Sequence, residues 1–203
     1  MKPLVLASSS PYRKALLARL GMPFTAVSPD VDESSLPHET PSSLVKRLAE
    51  AKAQALAPDW PDHWIVGSDQ VACLPDGSIL TKPGDHDTAC RQLRRSSGRT
   101  VTFHTGLALL DSSSGRMDSL CENFQVVFRE LDDQDIEHYL LTEQPLDCAG
   151  SFRMEGLGIT LFERMEGRDP NSLIGLPLIA LNSLLRAWGL DTLGEAYRNS
   201  RRD

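Results

Sequence analysis

Arg13 and Lys52 stand in sequence contexts that disfavour their charges, and Asp69 stands where a carboxylate could do chemistry. In "LVLASSSPYRK" (4 to 14) an apolar run ends in Ser8, Ser9 and Ser10, and Pro11 opens a helical pattern. A turn of small residues at the start of a helix gathers backbone N–H groups and a positive dipole end, a generic place for a phosphate. Arg13 lies in the first helical turn, where a cation opposes the dipole by roughly 0.3–1 kcal/mol unless an anion joins it. The same residues fit a plain turn in which Ser10 caps the helix and Arg13 is solvated. A nucleophilic serine is disfavoured, because no Gly-x-Ser-x-Gly frame surrounds these three.

In "SSLVKRLAEAKAQALA" the residues Leu44, Leu48, Lys52 and Leu56 recur four apart, so Lys52 falls on an apolar helical stripe. Such a lysine must snorkel to water, lose its charge or meet an anion. Asp69 follows the apolar run of "IVGSDQV" (65 to 71) and is expected at a strand end, projecting into a cleft. There a carboxylate can hold a divalent cation or deprotonate a water, or simply bond within a turn. "TKPGD" (81 to 85) follows a hairpin turn, so Lys82 is expected to return near Asp69. Asp32 and Glu33 belong to a polar loop that reads first as a solvated acidic segment. Asp169 in "GRDPNS" (167 to 172) reads as a cap for the segment after it.

The elements that must position these residues alternate in type. Strands are expected at 4–7, 24–28, 63–74, 100–111, 123–130 and 158–167, with a short return arm at 79–82 after the turn "PDGS". Helices are expected at 11–21, 41–57, 85–98, 133–142 and 176–189, and the tail 194–203 is expected to fray. Hairpins and helical connections together predict an α/β class, a mixed sheet with helices on its faces. The 203 residues fit one domain able to hide roughly 70% of its unfolded surface. A net charge of -7 argues against a broad nucleic-acid footprint or an RNA cap-binding path but leaves room for a small anion. No window reaches membrane-spanning length and no signal peptide is recognised, so a cytoplasmic enzyme is expected. Cys73, Cys90, Cys121 and Cys148 form no Cys-x-x-Cys pair, the five histidines look scattered, and zinc is not indicated.

Taken in order, "LASSSPYRKALL", "VDES", "LAEAKAQAL", "VGSDQV", "TKPGD", "TFHTGLAL", "CAGSF" and "GRDPNSLIGLPL" resemble the Maf family from residue 3 to about 188. The resemblance implies a nucleoside triphosphate pyrophosphatase that cuts between the α and β phosphates. It also implies an elongated mixed sheet flanked by helices, related to the inosine triphosphatase fold, in a single domain (1–203) with two lobes around a cleft. A homodimer and a divalent cation, magnesium or manganese, are implied as well. Residue by residue, Ser8, Ser9, Ser10 and Arg13 match the phosphate-binding turn, and Lys52 and Lys82 the phosphate-binding lysines. Glu33 matches the acidic metal-site position, and Asp69 the catalytic carboxylate and further metal ligand.

Tyr12, Gln70 and Glu155 occupy the positions that sort Maf subfamilies. Members acting on dTTP and UTP carry Arg, Thr and Gln there; an aromatic, Gln and Glu resemble the subfamily acting on 7-methyl-GTP, although its commonest aromatic is Trp. The chemistry agrees, since N7 methylation makes guanine cationic. An aromatic face then gains about 2 kcal/mol when desolvated, and a carboxylate can accept from the N1–H and N2–H₂ edge. Two other outcomes stay open: a dTTP/UTP pyrophosphatase, and a nucleotide-binding regulator of cell division without turnover.

Overall fold

The computed structural model describes residues 2–201. Strand β1 (Leu4–Ala7) is buried throughout, as an apolar run inside a parallel sheet should be. It pairs in parallel with β2 (Phe24–Val27) and with β3 (Trp64–Cys73), Leu4 standing opposite both Phe24 and Trp64. Helix α1 (Pro11–Ala18) links β1 to β2, and α2 (Pro41–Leu56) links β2 to β3. Both begin with proline behind a hydroxyl cap: Ser10 Oγ accepts from Arg13 N, and Thr40 Oγ1 from Ser43 N. After β3 the chain turns through Gly77, whose φ is +82°, into the antiparallel β4 (Ile79–Leu80).

Then follow α3 (His86–Ser96), β5 (Thr100–Asp111), β6 (Met117–Phe128) and α4 (Asp133–Glu143). Two 3₁₀ turns, Ala149–Ser151 and Leu157–Leu161, lead to β7 (Phe162–Gly167), a single helical turn α5 (Asn171–Ile174), α6 (Leu178–Ala187) and α7 (Thr192–Asn199). Among the described residues the seven strands run in the order β2-β1-β3-β5-β6-β7, with β4 beside β3. Parallel pairs around β1 and antiparallel pairs at β3/β4 and β6/β7 make this a mixed sheet, as the sequence predicts.

The chain divides into two compact units. The first comprises Met1–Gln70, Thr105–Glu122 and Gly175–Asp203, the second Val71–His104 and Asn123–Ile174. In the first, Val5, Ala7 and Ile65 pack with Ala49, Ala53 and Leu56 of α2 and with Ala108 and Leu110. The second has an aromatic core in which Phe152 meets Phe103, Phe128 and Phe162 edge to face at 5.4, 5.6 and 4.8 Å.

Three sequence expectations are corrected. β6 begins at Met117, six residues earlier than expected, because "MDSLCE" is only half-buried and carries no clean apolar alternation. The strand expected from 158 begins at Phe162, after the 3₁₀ turn. The tail expected to fray from 194 is helical to Asn199: Asp191 caps α7 through Gly194 N, and Asn199 Nδ2 donates to Gly21 O at 3.1 Å. Residues 202 and 203 of that tail lie outside the described residues.

Candidate active site

Two glycines let α2 lie directly on the sheet. A Cβ on Gly67 of β3 would stand 2.0 Å from the Ala49 carbonyl, and one on Gly106 of β5 would stand 2.0 Å from the Val45 carbonyl. Only residues without side chains permit that approach. The apolar stripe of α2 therefore points into the sheet, and Lys52 points with it, 6% exposed. Of the three outcomes open to a lysine on such a stripe, the structure shows the third, because its ammonium meets anions. Nζ lies 2.6 Å from Asp69 Oδ1 and 2.6 Å from Glu33 Oε1. Asp69 is itself 7% exposed, so each buried charge has the partner that its burial demands. Asp69 sits within β3, not at the expected strand end, because Gly67 and Ser68 continue the strand under α2.

Glu33 approaches from an exposed loop, and α2 fastens that loop as well. Arg47 donates from Nε and Nη2 to the two carboxylate oxygens of Glu39 at 2.7 and 2.8 Å, and from Nη2 to the Ser34 carbonyl at 2.9 Å. The Arg47 fork and the backbone N–H of Leu36 pull the Glu39 carboxyl down to about 2.

At the opening loop Ser8 N donates to Leu6 O, Ser10 N to Ser8 Oγ and Arg13 N to Ser10 Oγ, so two of the three serine hydroxyls shape the turn. Arg13 Nε donates to the Gly175 carbonyl at 2.8 Å. The buried Ser68 hydroxyl stands 2.9 Å from that same carbonyl and 2.8 Å from the carbonyl of Gly106. Gly175 has φ +119°, a conformation that side chains rarely adopt. Burial lowers the affinity of the Arg13 guanidinium for its proton, and the negative charges of Asp69 and Glu33 work the other way. Gln70 Nε2 donates to Thr105 Oγ1 on the neighbouring strand at 3.0 Å. Tyr12 is half-buried beside Arg13 in the first turn of α1.

Lys82 and Glu155 belong to the second unit, Asp69, Lys52, Glu33 and Arg13 to the first. Both Lys82 and Glu155 are exposed and lie on irregular segments, Glu155 in the turn before Leu157. Glu143 of α4 pins that turn by accepting from Arg153 Nη1 at 3.2 Å and from Leu157 N at 2.8 Å. The buried Gln92 of α3 ties the two segments together. Its Nε2 donates to Thr81 O at 3.1 Å, and its Oε1 accepts from Ser151 Oγ at 2.6 Å. Sequence reading missed Ser68, Gln92 and Gly175, whose partners are remote in the chain. Asp169 caps as expected, accepting from Asn171 N at 2.9 Å.

Glu33 and Asp69 form an all-oxygen donor pair converging on one ammonium. That suits a hard cation such as magnesium or manganese, which takes one or two carboxylates and completes its shell with water and phosphate oxygens. A chemically different group, His86, Cys90 and Glu137, lies in the second unit. It corrects the view of the histidines and cysteines as scattered, since His86 and Cys90 are four apart on α3.

The sequence profile described as "Maf-like protein" matches residues 3–188. A protein of Chromohalobacter salexigens named 7-methyl-GTP pyrophosphatase is 57% identical over 194 residues, covering 96% of this chain and all of that one. The structure of the Staphylococcus aureus Ham1 protein superposes with a TM-score of 0.54 at 13% identity, over 92% of this chain and 99% of that one, a likeness of fold.

Proposed function

The chain belongs to the Maf-like protein family, and from that membership we propose that it hydrolyses 7-methyl-GTP between the α and β phosphates, releasing 7-methyl-GMP and pyrophosphate. The observation that carries the reading is the buried Lys52 ammonium held between the buried carboxylate of Asp69 and the exposed carboxylate of Glu33, two carboxylates and a cation in one place. The 57% identical relative bearing that name supports the choice of nucleotide, as do Tyr12, Gln70 and Glu155.

In this reading Asp69, held through Oδ1 by Lys52, accepts a proton at Oδ2 from the water that attacks the α phosphorus. Arg13, Lys52 and Lys82, with the turn of Ser8, Ser9 and Ser10, take up the charge that grows on the phosphoryl oxygens and the departing pyrophosphate. Glu33 and Asp69 would hold a magnesium or manganese ion, which supplies further neutralisation of phosphate charge when bound. Tyr12 stacks on the cationic base and Glu155 accepts from its N1–H and N2–H₂ edge. We place the enzyme in the cytoplasm, as one domain in which the two units serve as lobes, and as a homodimer.

Pyrophosphate release over a panel of nucleotides, with magnesium or manganese, tests the reading. 7-Methyl-GTP should be turned over best, and Asp69→Asn should lose about 10²–10⁴-fold in kcat. A preference for dTTP or UTP would overturn the specificity. Tight binding without turnover, unchanged in Asp69→Asn, would overturn the activity and favour a regulator.

A further inference from the structure

His86 opens α3, and Cys90 follows four residues later on the same face of the helix. Glu137 of α4 meets them: His86 Nε2 stands 3.4 Å from Glu137 Oε2, and His86 Nδ1 stands 3.6 Å from Cys90 Sγ. One donor atom from each residue lies within 4.8 Å of the other two. Donors around a tetrahedral zinc-class ion, about 2.3 Å from it for sulfur and about 2.0–2.2 Å for nitrogen and oxygen, are themselves about 3.4–3.6 Å apart. The cluster is thus close to coordination size, and rotation of the half-exposed imidazole selects the nitrogen that binds. A second observation concerns the ring itself. His86 Nε2 is sealed from solvent, and its 3.4 Å approach to Glu137 Oε2 makes no hydrogen bond, so this buried nitrogen keeps an unmet bonding capacity beside the carboxylate.

We infer that His86, Cys90 and Glu137 bind a borderline divalent cation of the zinc class, with a water in the fourth position, and that the ion clamps α3 to α4. On binding, the Cys90 thiol gives its proton to solvent, its sulfur and a neutral ring nitrogen donate lone pairs, and Glu137 contributes a carboxylate oxygen. A thiolate and an imidazole favour zinc, cobalt or nickel over magnesium or manganese. The inference is independent of the proposed pyrophosphatase chemistry, because its donors are of a different class and its readout is spectroscopic. The side chains of His86 and Glu137 are 39% and 48% exposed, which gives an ion its route in.

Cobalt(II) titrated into the metal-stripped, reduced full-length protein is the probe, since a thiolate ligand gives a near-ultraviolet charge-transfer band. The expected result is a band that saturates at one cobalt per chain and is displaced by zinc, together with a higher Tm in zinc. Cys90→Ser and His86→Ala should each abolish the band, and Glu137→Gln should weaken binding roughly tenfold or more. No band in the wild type, or a band that survives Cys90→Ser and His86→Ala, overturns the site. His86→Ala, a change at a half-exposed position checked by circular dichroism, decides the matter if Cys90→Ser fails to fold.

Discussion

At the scale of the residue, Lys52 joins stability to chemistry. Its ammonium is the partner that the buried Asp69 carboxylate demands, so Lys52→Met should cost about 3 kcal/mol in urea unfolding. Combining it with Asp69→Asn should restore part of that loss, because the stranded carboxylate is gone; a double mutant no more stable than the single would contradict the pairing argument. Tyr12 and Glu155 carry the base preference in our proposal. Tyr12→Arg with Glu155→Gln should lower kcat/KM for 7-methyl-GTP by roughly tenfold or more while changing dTTP less, and an unchanged ranking would count against their role. Arg13 and Lys52 were legible in the sequence because each breaks a local rule, and Asp69 because it follows an apolar run through Gly67 and Ser68. Gln92 and Ser68 break none, and their importance comes from carbonyl and hydroxyl partners that only folding supplies.

At the scale of the element, α2 places the lysine and fastens the acidic loop. Gly106→Ala inserts a methyl 2.0 Å from the Val45 carbonyl, so α2 must shift. We expect a loss of about 1–3 kcal/mol and a fall in kcat larger than any change in KM, since the shift separates Lys52 from Asp69. Wild-type stability and kinetics in this variant would show that the close approach is dispensable. The Glu39–Arg47 fork has a pH signature. The folded-state pKa of Glu39, about 2, lies below the ordinary 4.5, so its contribution is complete above 4.5 and is lost as pH falls toward 2. The stability difference between wild type and Glu39→Gln, followed by thermal melting, should be constant near neutrality and vanish across that acidic window. Helix starts were readable from Ser10 and Thr40, which cap as local chemistry requires. The start of β6 and the helical tail were not, because both depend on tertiary partners more than on an apolar period.

At the scale of the whole molecule, no helix among the described residues is long and apolar enough to cross a membrane. The proposed homodimer predicts a sedimentation mass of twice 22.4 kDa at micromolar concentration, and a monomer throughout the accessible range would refute it. The sequence by itself determined the α/β class, the alternation of elements and the family, because apolar periods, caps and ordered short motifs are local properties of the chain. Only the tertiary structure decided that the lysine on an apolar stripe finds Asp69 and Glu33, that Gly175 receives Arg13 across 162 positions, and that His86 and Cys90 meet Glu137. Those outcomes depend on how closely backbones approach and on which charges burial forces to pair. Distances of that kind are set by packing between segments remote in the chain, and a linear pattern does not contain them.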